Sequence, residues 1–340
     1  GSSVQQTADG GYVVYGRKYS YEKPHEGGAW LIKTDAAGNI VWDKIFNSAK
    51  ATFGNSVQQT TDGGYILCGT ILKTKEISYC IWLIKTDPEG NKLWERTFCS
   101  SKRGAWGHSV KQTTDGGYIL CGQSDDRTRL IKTDAEGNTI WDRILASQNG
   151  VDNGISVRQT TDGGYIVCGD TWPSVENGPD IYKPNVWLVK TDADGNKIWD
   201  LIFGGEQYAG TSDIQQTTDG GYITCGIGET NNGKLGALVI KLDSNGNKLW
   251  DKTFSRGTGA SIQETADGGY IICGQSRYYN AWLIKIDDEG NELWDEEFNC
   301  HAGLTGASSI QQTTDGGYIT CGGGLSGSSR LLLSKIAPEQ

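Results

Sequence analysis

One decapeptide, Thr-Thr-Asp-Gly-Gly-Tyr-Ile-Leu-Cys-Gly from Thr60 to Gly69, returns in near copies along the whole chain. Its Asp-Gly-Gly-Tyr core starts at Asp9, Asp62, Asp115, Asp162, Asp219, Asp267 and Asp315, in steps of 53, 53, 47, 57, 48 and 48 residues. A unit of about 50 residues cannot bury its own apolar faces, so units with this period stack on one another. The repeat runs through all 340 residues with no linker, which overrides the two domains that length alone would suggest.

Within the second copy, Ser56–Thr60 reads as a short strand, A, and Asp62-Gly63-Gly64 as a tight turn. Tyr65–Cys68 is strand B, and a variable loop follows. Ile81–Lys85 is strand C, Asp87–Asn91 a second turn, and Leu93–Phe98 strand D. Four antiparallel strands per unit make a propeller blade, and strands B and C, apolar on both faces, suit a sheet sandwiched between two others. A flat solenoid would need polar terminal caps, which the first and last copies do not provide. The expectation is an all-β, seven-bladed β-propeller spanning 1–340, with blades near 1–52, 53–105, 106–152, 153–209, 210–257, 258–305 and 306–340. Strand D with its Gly-Asn-x-x-Trp occurs six times, so the last blade should have three strands, with strand C an open edge able to recruit another chain.

The DGGY…WLIKTD…GNxxW pattern resembles the tryptophan-rich β-propeller repeats of bacterial and archaeal surface proteins, over essentially the whole chain. It is also distantly similar to the tryptophan-docking repeats of quinoprotein propellers. The resemblance implies a cell-surface or secreted location and a role in display or adhesion. Kelch repeats share the length and a Gly-Gly pair, but there the glycines end a strand, whereas here they precede one.

Uniform residues read as framework. The turn aspartates specify turns. Asp192-Ala193-Asp194-Gly195-Asn196 echoes a calcium loop but lacks its downstream Glu. The lysine that closes each strand C, from Lys33 to Lys335, either covers an aromatic ring or pairs with a turn Asp. Strand A carries a recurrent Gln at positions such as Gln59 and Gln112, read as an amide that serves backbone groups between blades. The preceding position varies, and Lys111 and Arg158 would put positive charge on one side of the central channel, a hint of an anionic ligand. Six of the nine cysteines share one strand-B position, too far apart to pair with each other. Cys80 and Cys99 lie on strands C and D of one hairpin, and if Thr86 faces Lys92, Cys80 comes within one position of Cys99, so a disulfide is possible there. So many other thiols suit a reducing or anaerobic setting, in tension with an extracellular one.

The net charge of −10 and the scattered Lys and Arg argue against nucleic acid, and no apolar run is long enough to span a bilayer. The chain has no Met, which suggests a processed or trimmed product. Variable B–C and D–A loops should emerge on one face and carry specificity. Their candidate contacts for a glycan, peptide or protein are Tyr19, Tyr21, Trp106, His108, Trp172, Tyr182, Tyr208, Tyr278 and Tyr279. No nucleophile–base pair, zinc spacing or cofactor motif stands out. The leading expectation is therefore a non-catalytic binding or display module. A structural subunit using the open edge of blade 7 comes second, and a propeller lyase, glycosidase or quinoprotein last.

Overall fold

The computed structural model describes residues 1–18, 28–46, 52–73, 78–100, 102–148, 150–173, 183–205, 207–230, 232–298, 304–324 and 331–337. Seven antiparallel sheets follow one another, six of four strands and the last of three, each in simple A-B-C-D order. In blade 2 these are Thr52–Gln59, Tyr65–Lys73, Ser78–Thr86 and Lys92–Cys99. The three-stranded blade 7 comprises Leu304–Gln312, Tyr318–Gly324 and Leu331–Ile336.

The core lies between the sheets. Val13, Tyr15 and Leu31 of blade 1 pack on Tyr65, Leu67 and Ile84 of blade 2, and the same arrangement recurs at each successive interface. A seventh, smaller cluster joins Val4, Tyr12 and Val14 to Ile319 and Cys321, which closes the ring of a seven-bladed propeller. Both faces of each sheet are thus covered, which is why strands B and C alternate so little in polarity.

The Asp-Gly-Gly turn and the strand-C lysine form one device. In blade 2, Gly63 sits at φ +83°, a conformation open to glycine. A Cβ on Gly64 would lie 2.2 Å from Thr86 O and 2.6 Å from Lys85 Nζ. That absence lets Lys85 reach across and bond Asp62 at 2.9 Å and Thr86 O at 2.8 Å. All seven lysines meet their turn Asp, at 2.6–2.9 Å. Of the two framework readings from the sequence, the pairing is the one formed. Burial alone would raise the Asp9 carboxyl, but hydrogen bonds from Lys33, Thr7 and Gly11 outweigh it and bring it down to about 2.

A second device links the rims. Trp42 of blade 1 meets Tyr65 of blade 2 edge-on at 5.8 Å, and five more Trp–Tyr pairs repeat this around the ring. The ring also lies against the C–D turn of the next blade, where a Cβ on Gly90 would meet it at 2.6 Å. Each C–D pair shifts register just before its turn, as between Lys85 and Thr86. Leu93 is the residue skipped, and its side chain is exposed, as are Val41, Ile140, Ile198, Leu249 and Leu293 at the same bulge. The bulge also sets the cysteine geometry: it adds one position to the simple count, so Cys80 faces Cys99 itself, and the two form a disulfide. The six strand-B cysteines are buried free thiols, and burial pushes Cys68, Cys168 and Cys321 up to about 12.

Candidate functional site

Strand A is the innermost strand of every blade, and its inward side chains form three layers around a channel of about 300 Å³. Alternation puts every second residue inward toward the A–B turn, and a bulge just before the serine position turns the preceding residue inward as well. The middle layer is Ser3, Ser56, Ser109, Ser156, Asp213, Ser261 and Ser309, and the layer toward the A–B turns holds Gln5, Lys111, Arg158, Gln215, Gln263 and Gln311. The third layer includes Asn55, His108 and Ile155.

Most of this lining is framework. Ser3, Ser56 and Ser109 each accept a hydrogen bond from a backbone N–H of the next blade, at 3.2–3.4 Å. In the glutamine layer, Gln5 Oε1 accepts from Gln59 N at 2.6 Å and Gln58 Oε1 from Gln112 N at 2.7 Å. Gln215, Gln263 and Gln311 do the same. The neighbouring recurrent position, Gln59 and its equivalents, reaches the opposite way and accepts from the turn of the preceding blade at 2.9 Å. Glu264 does so in place of Gln. That second belt crosses the seam between blades 7 and 1 without interruption. These amides are half-buried rather than fully buried.

Blades 3, 4 and 5 break the symmetry. Lys111 and Arg158 replace two glutamines, and no side-chain bond of that layer reaches Gln159 N or Gln216 N among the described residues. Asp213 replaces a serine. Its carboxylate accepts from Arg158 Nη2 at 3.0 Å, Ser156 Oγ at 2.9 Å, Ser261 Oγ at 3.0 Å and its neighbour Ile214 N at 3.0 Å. Asp213 is therefore saturated. Lys111 makes no hydrogen bond or ion pair with the described residues. Burial, then the Arg158 charge, push its ammonium down to about 7, against the opposing pull of Asp213. Burial likewise pushes His108 down to about 4, so its imidazole is neutral at pH 7. Two cations against one saturated carboxylate leave a net positive channel wall with one ammonium whose three donors are unanswered.

The loop residues fare differently. Tyr19, Tyr21 and Tyr182 lie outside the described residues. Trp106 and His108 are not in a loop: both belong to strand A of blade 3, Ala105–Gln112, because that strand continues past a bulge between Cys121 and Gly122 in its pairing. His108 lines the channel, while Trp106 stacks on Tyr79 with ring centres 5.7 Å apart. Trp172 also lies in a strand, Tyr165–Pro173, opposite Val151. Tyr208 shares two hydrogen bonds with Glu229 beside a groove between blades 4 and 5. Tyr278 and Tyr279 are exposed, at 79% and 64%. The sequence reading missed Asp213. Its signal was visible as the one acidic residue at a position otherwise held by serine.

No protein-family model matches the sequence, and no curated protein sequence matches it. Solved structures do. The WD40 domain of Pan2 from Neurospora crassa aligns with a TM-score of 0.64 at 12% identity, covering 100% of this chain and 89% of that one. A protein from Lactobacillus plantarum aligns at 0.58 with 13% identity over 97% of each chain. A protein of unknown function from Bacteroides caccae aligns at 0.57 with 12% identity, covering 88% of this chain and 97% of that one. Likeness at this identity establishes the fold, and with the site above it defines the class: a β-propeller repeat protein with an asymmetric, cationic central channel.

Proposed function

We propose that this propeller is a non-catalytic binding module that takes the anionic group of an acidic glycan or peptide into its central channel at the level of Lys111. The observation that carries this is the unanswered Lys111 ammonium, placed where five other blades use a glutamine that bonds the next blade. Holding a cation there forgoes a framework hydrogen bond and costs desolvation, which a purely structural wall has no reason to accept. A carboxylate on Lys111 would recover both, and about 300 Å³ accommodates one acidic group with its immediate neighbours. The remainder of the ligand would contact the rim, where exposed Tyr278 and Tyr279 offer flat surfaces for sugar rings or peptide groups. Resemblance to the tryptophan-rich surface propellers supports a cell-surface or secreted location, as does the Cys80–Cys99 disulfide.

Titration calorimetry with oligogalacturonate, oligoglutamate and their neutral counterparts tests the reading. Binding of an acidic oligomer should be saturable, absent for the neutral one, and lost in Lys111→Gln. Equal binding by that variant would move the site elsewhere.

A further inference from the structure

Strand C carries a tryptophan at one fixed position in blades 1, 2, 4 and 6: Trp30, Trp82, Trp187 and Trp282. Each indole N–H donates at 2.7–3.0 Å to a carboxylate on the neighbouring strand D, namely Asp43, Glu95, Asp200 and Asp295. Blade 3 places Arg129 there, and its guanidinium donates to Asp142 at 2.6 Å. Blade 5 keeps the carboxylate, Asp251, but loses the donor, because Leu238 holds the position. The register is unchanged. Leu238 faces Thr253 and Ile240 faces Asp251, as Trp82 faces Thr97 and Ile84 faces Glu95.

The smaller side chain leaves a cavity. About 330 Å³ lies against Leu238, walled by Ile202 and Phe203 of blade 4 and by Ile240 and Asp251 of blade 5. Phe203 packs with Leu238 between blades 4 and 5, as its counterpart Phe46 packs with Trp82 between blades 1 and 2. Asp251 is 47% exposed, where Glu95, Asp142, Asp200 and Asp295 are 11–42% exposed. Lys248 holds its Oδ1 at 2.6 Å. That ion pair does not replace the indole bond. In blades 2 and 4 the equivalent Lys92 and Lys197 hold one carboxylate oxygen while the tryptophan takes the other. Asp251 Oδ2, the oxygen that the indole would take, accepts no hydrogen bond among the described residues. None of the twelve tryptophans of the sequence lines the cavity.

We infer that this cavity is a binding pocket for the indole ring of a small molecule, which lies against Phe203 and Leu238 and donates its N–H to Asp251 Oδ2. The sister blades supply the argument for the ligand: the same walls and the same acceptor are met by an indole in four of them. An apolar cavity of about 150 Å³ already takes benzene, so about 330 Å³ admits two fused rings. One acceptor among apolar walls selects a ring that can donate. The pocket reaches solvent between Ile202 and Asp251, both exposed, which gives the ligand a way in. This site is independent of the channel reading.

The test is a ligand-observed NMR titration of indole with the whole protein. Saturable binding with a dissociation constant on the order of 0.1–1 mM is expected for so small a ring system. N-methylindole, which cannot donate, should bind at least about tenfold more weakly. Asp251→Ala changes a half-exposed side chain, so its melting should be unchanged while indole binding weakens at least about fivefold. Leu238→Trp supplies the ring from the chain itself, and should abolish binding while melting no lower than the unaltered protein. Absence of saturable binding, equal binding of N-methylindole, or full binding by either variant would each overturn the proposal. A clear loss of melting temperature in Leu238→Trp would show that the cavity does not match an indole, and would overturn it too. Tighter binding of N-acetyltryptophanamide than of indole would assign the pocket to a peptide's tryptophan and overturn the small-molecule assignment.

Discussion

Replacing Asp267 by Asn tests whether the Asp–Lys device holds the blades. Lys285 has a fully buried side chain whose ammonium donates to Asp267 Oδ2 at 2.8 Å and Oδ1 at 3.0 Å. Asp267→Asn keeps the shape and the turn acceptor but leaves Lys285 as a buried cation without its counter-charge. Breaking a fully buried pair costs about 3–5 kcal/mol. Asp267 is itself 54% exposed, so water and screening recover part of this, and about 2 kcal/mol is the reasonable loss. For 340 residues the unfolding entropy is about 0.7 kcal/mol/K, so the melting temperature should fall by about 3 °C. Lys285→Met, which removes the buried charge, should cost less, and the double variant Asp267→Asn/Lys285→Met should melt close to Lys285→Met alone. The assay is thermal melting by circular dichroism at pH 7, with urea denaturation followed by tryptophan fluorescence as a check. A drop below about 1 °C for Asp267→Asn, or strictly additive losses in the double variant, would refute the reasoning.

Three further outcomes follow from the same geometry. Acid should destabilise the fold in a defined window. Asp9, Asp115, Asp162, Asp219 and Asp267 are held near 2, below their ordinary value of 3.8, so their contribution is complete above pH 3.8 and lost as pH falls toward 2. At roughly 0.5–1 kcal/mol each after screening, melting temperature should drop steeply across that window and little above it. Lys111→Gln should stabilise the protein by about 1 kcal/mol, since glutamine can accept from Gln159 N as Gln58 does from Gln112 N, raising the melting temperature by about 1.5 °C. Reduction of the Cys80–Cys99 disulfide, which spans 19 residues, should lower stability by about 3 kcal/mol, read as a shift in the urea midpoint with and without reductant.

Much of the fold was legible because the repeat obeys local rules at every level. Asp62-Gly63-Gly64 announces its turn, and Lys85 needs the missing Cβ of Gly64 to reach Asp62, so one sequence pattern encodes both the hairpin and the pair. The open edge of blade 7 could be counted from the absence of a seventh Gly-Asn-x-x-Trp. Register was less legible. A bulge at Leu93 adds one residue that hydrophobic pattern cannot show, because the extra residue is itself apolar and exposed. The same kind of irregularity in strand A draws Trp106 and His108 out of the loop where composition put them and into the wall of the ring. Of the channel, Lys111 and Arg158 stood out as charges at an amide position. Asp213 did not, because its importance lies in three side chains from the two flanking blades meeting it: Ser156 and Arg158 lie 57 and 55 residues before it and Ser261 lies 48 after.

The central claim is that the channel binds an anion through Lys111, and calorimetric titration of oligogalacturonate at about pH 6 and about pH 8 tests it most directly. Lys111 titrates near 7, so the charged form dominates at the lower pH and the neutral form at the higher. The account predicts saturable binding at about pH 6, at least several-fold weaker binding at about pH 8, and none at either pH for Lys111→Gln. Binding that is indifferent to pH and persists in Lys111→Gln would contradict it.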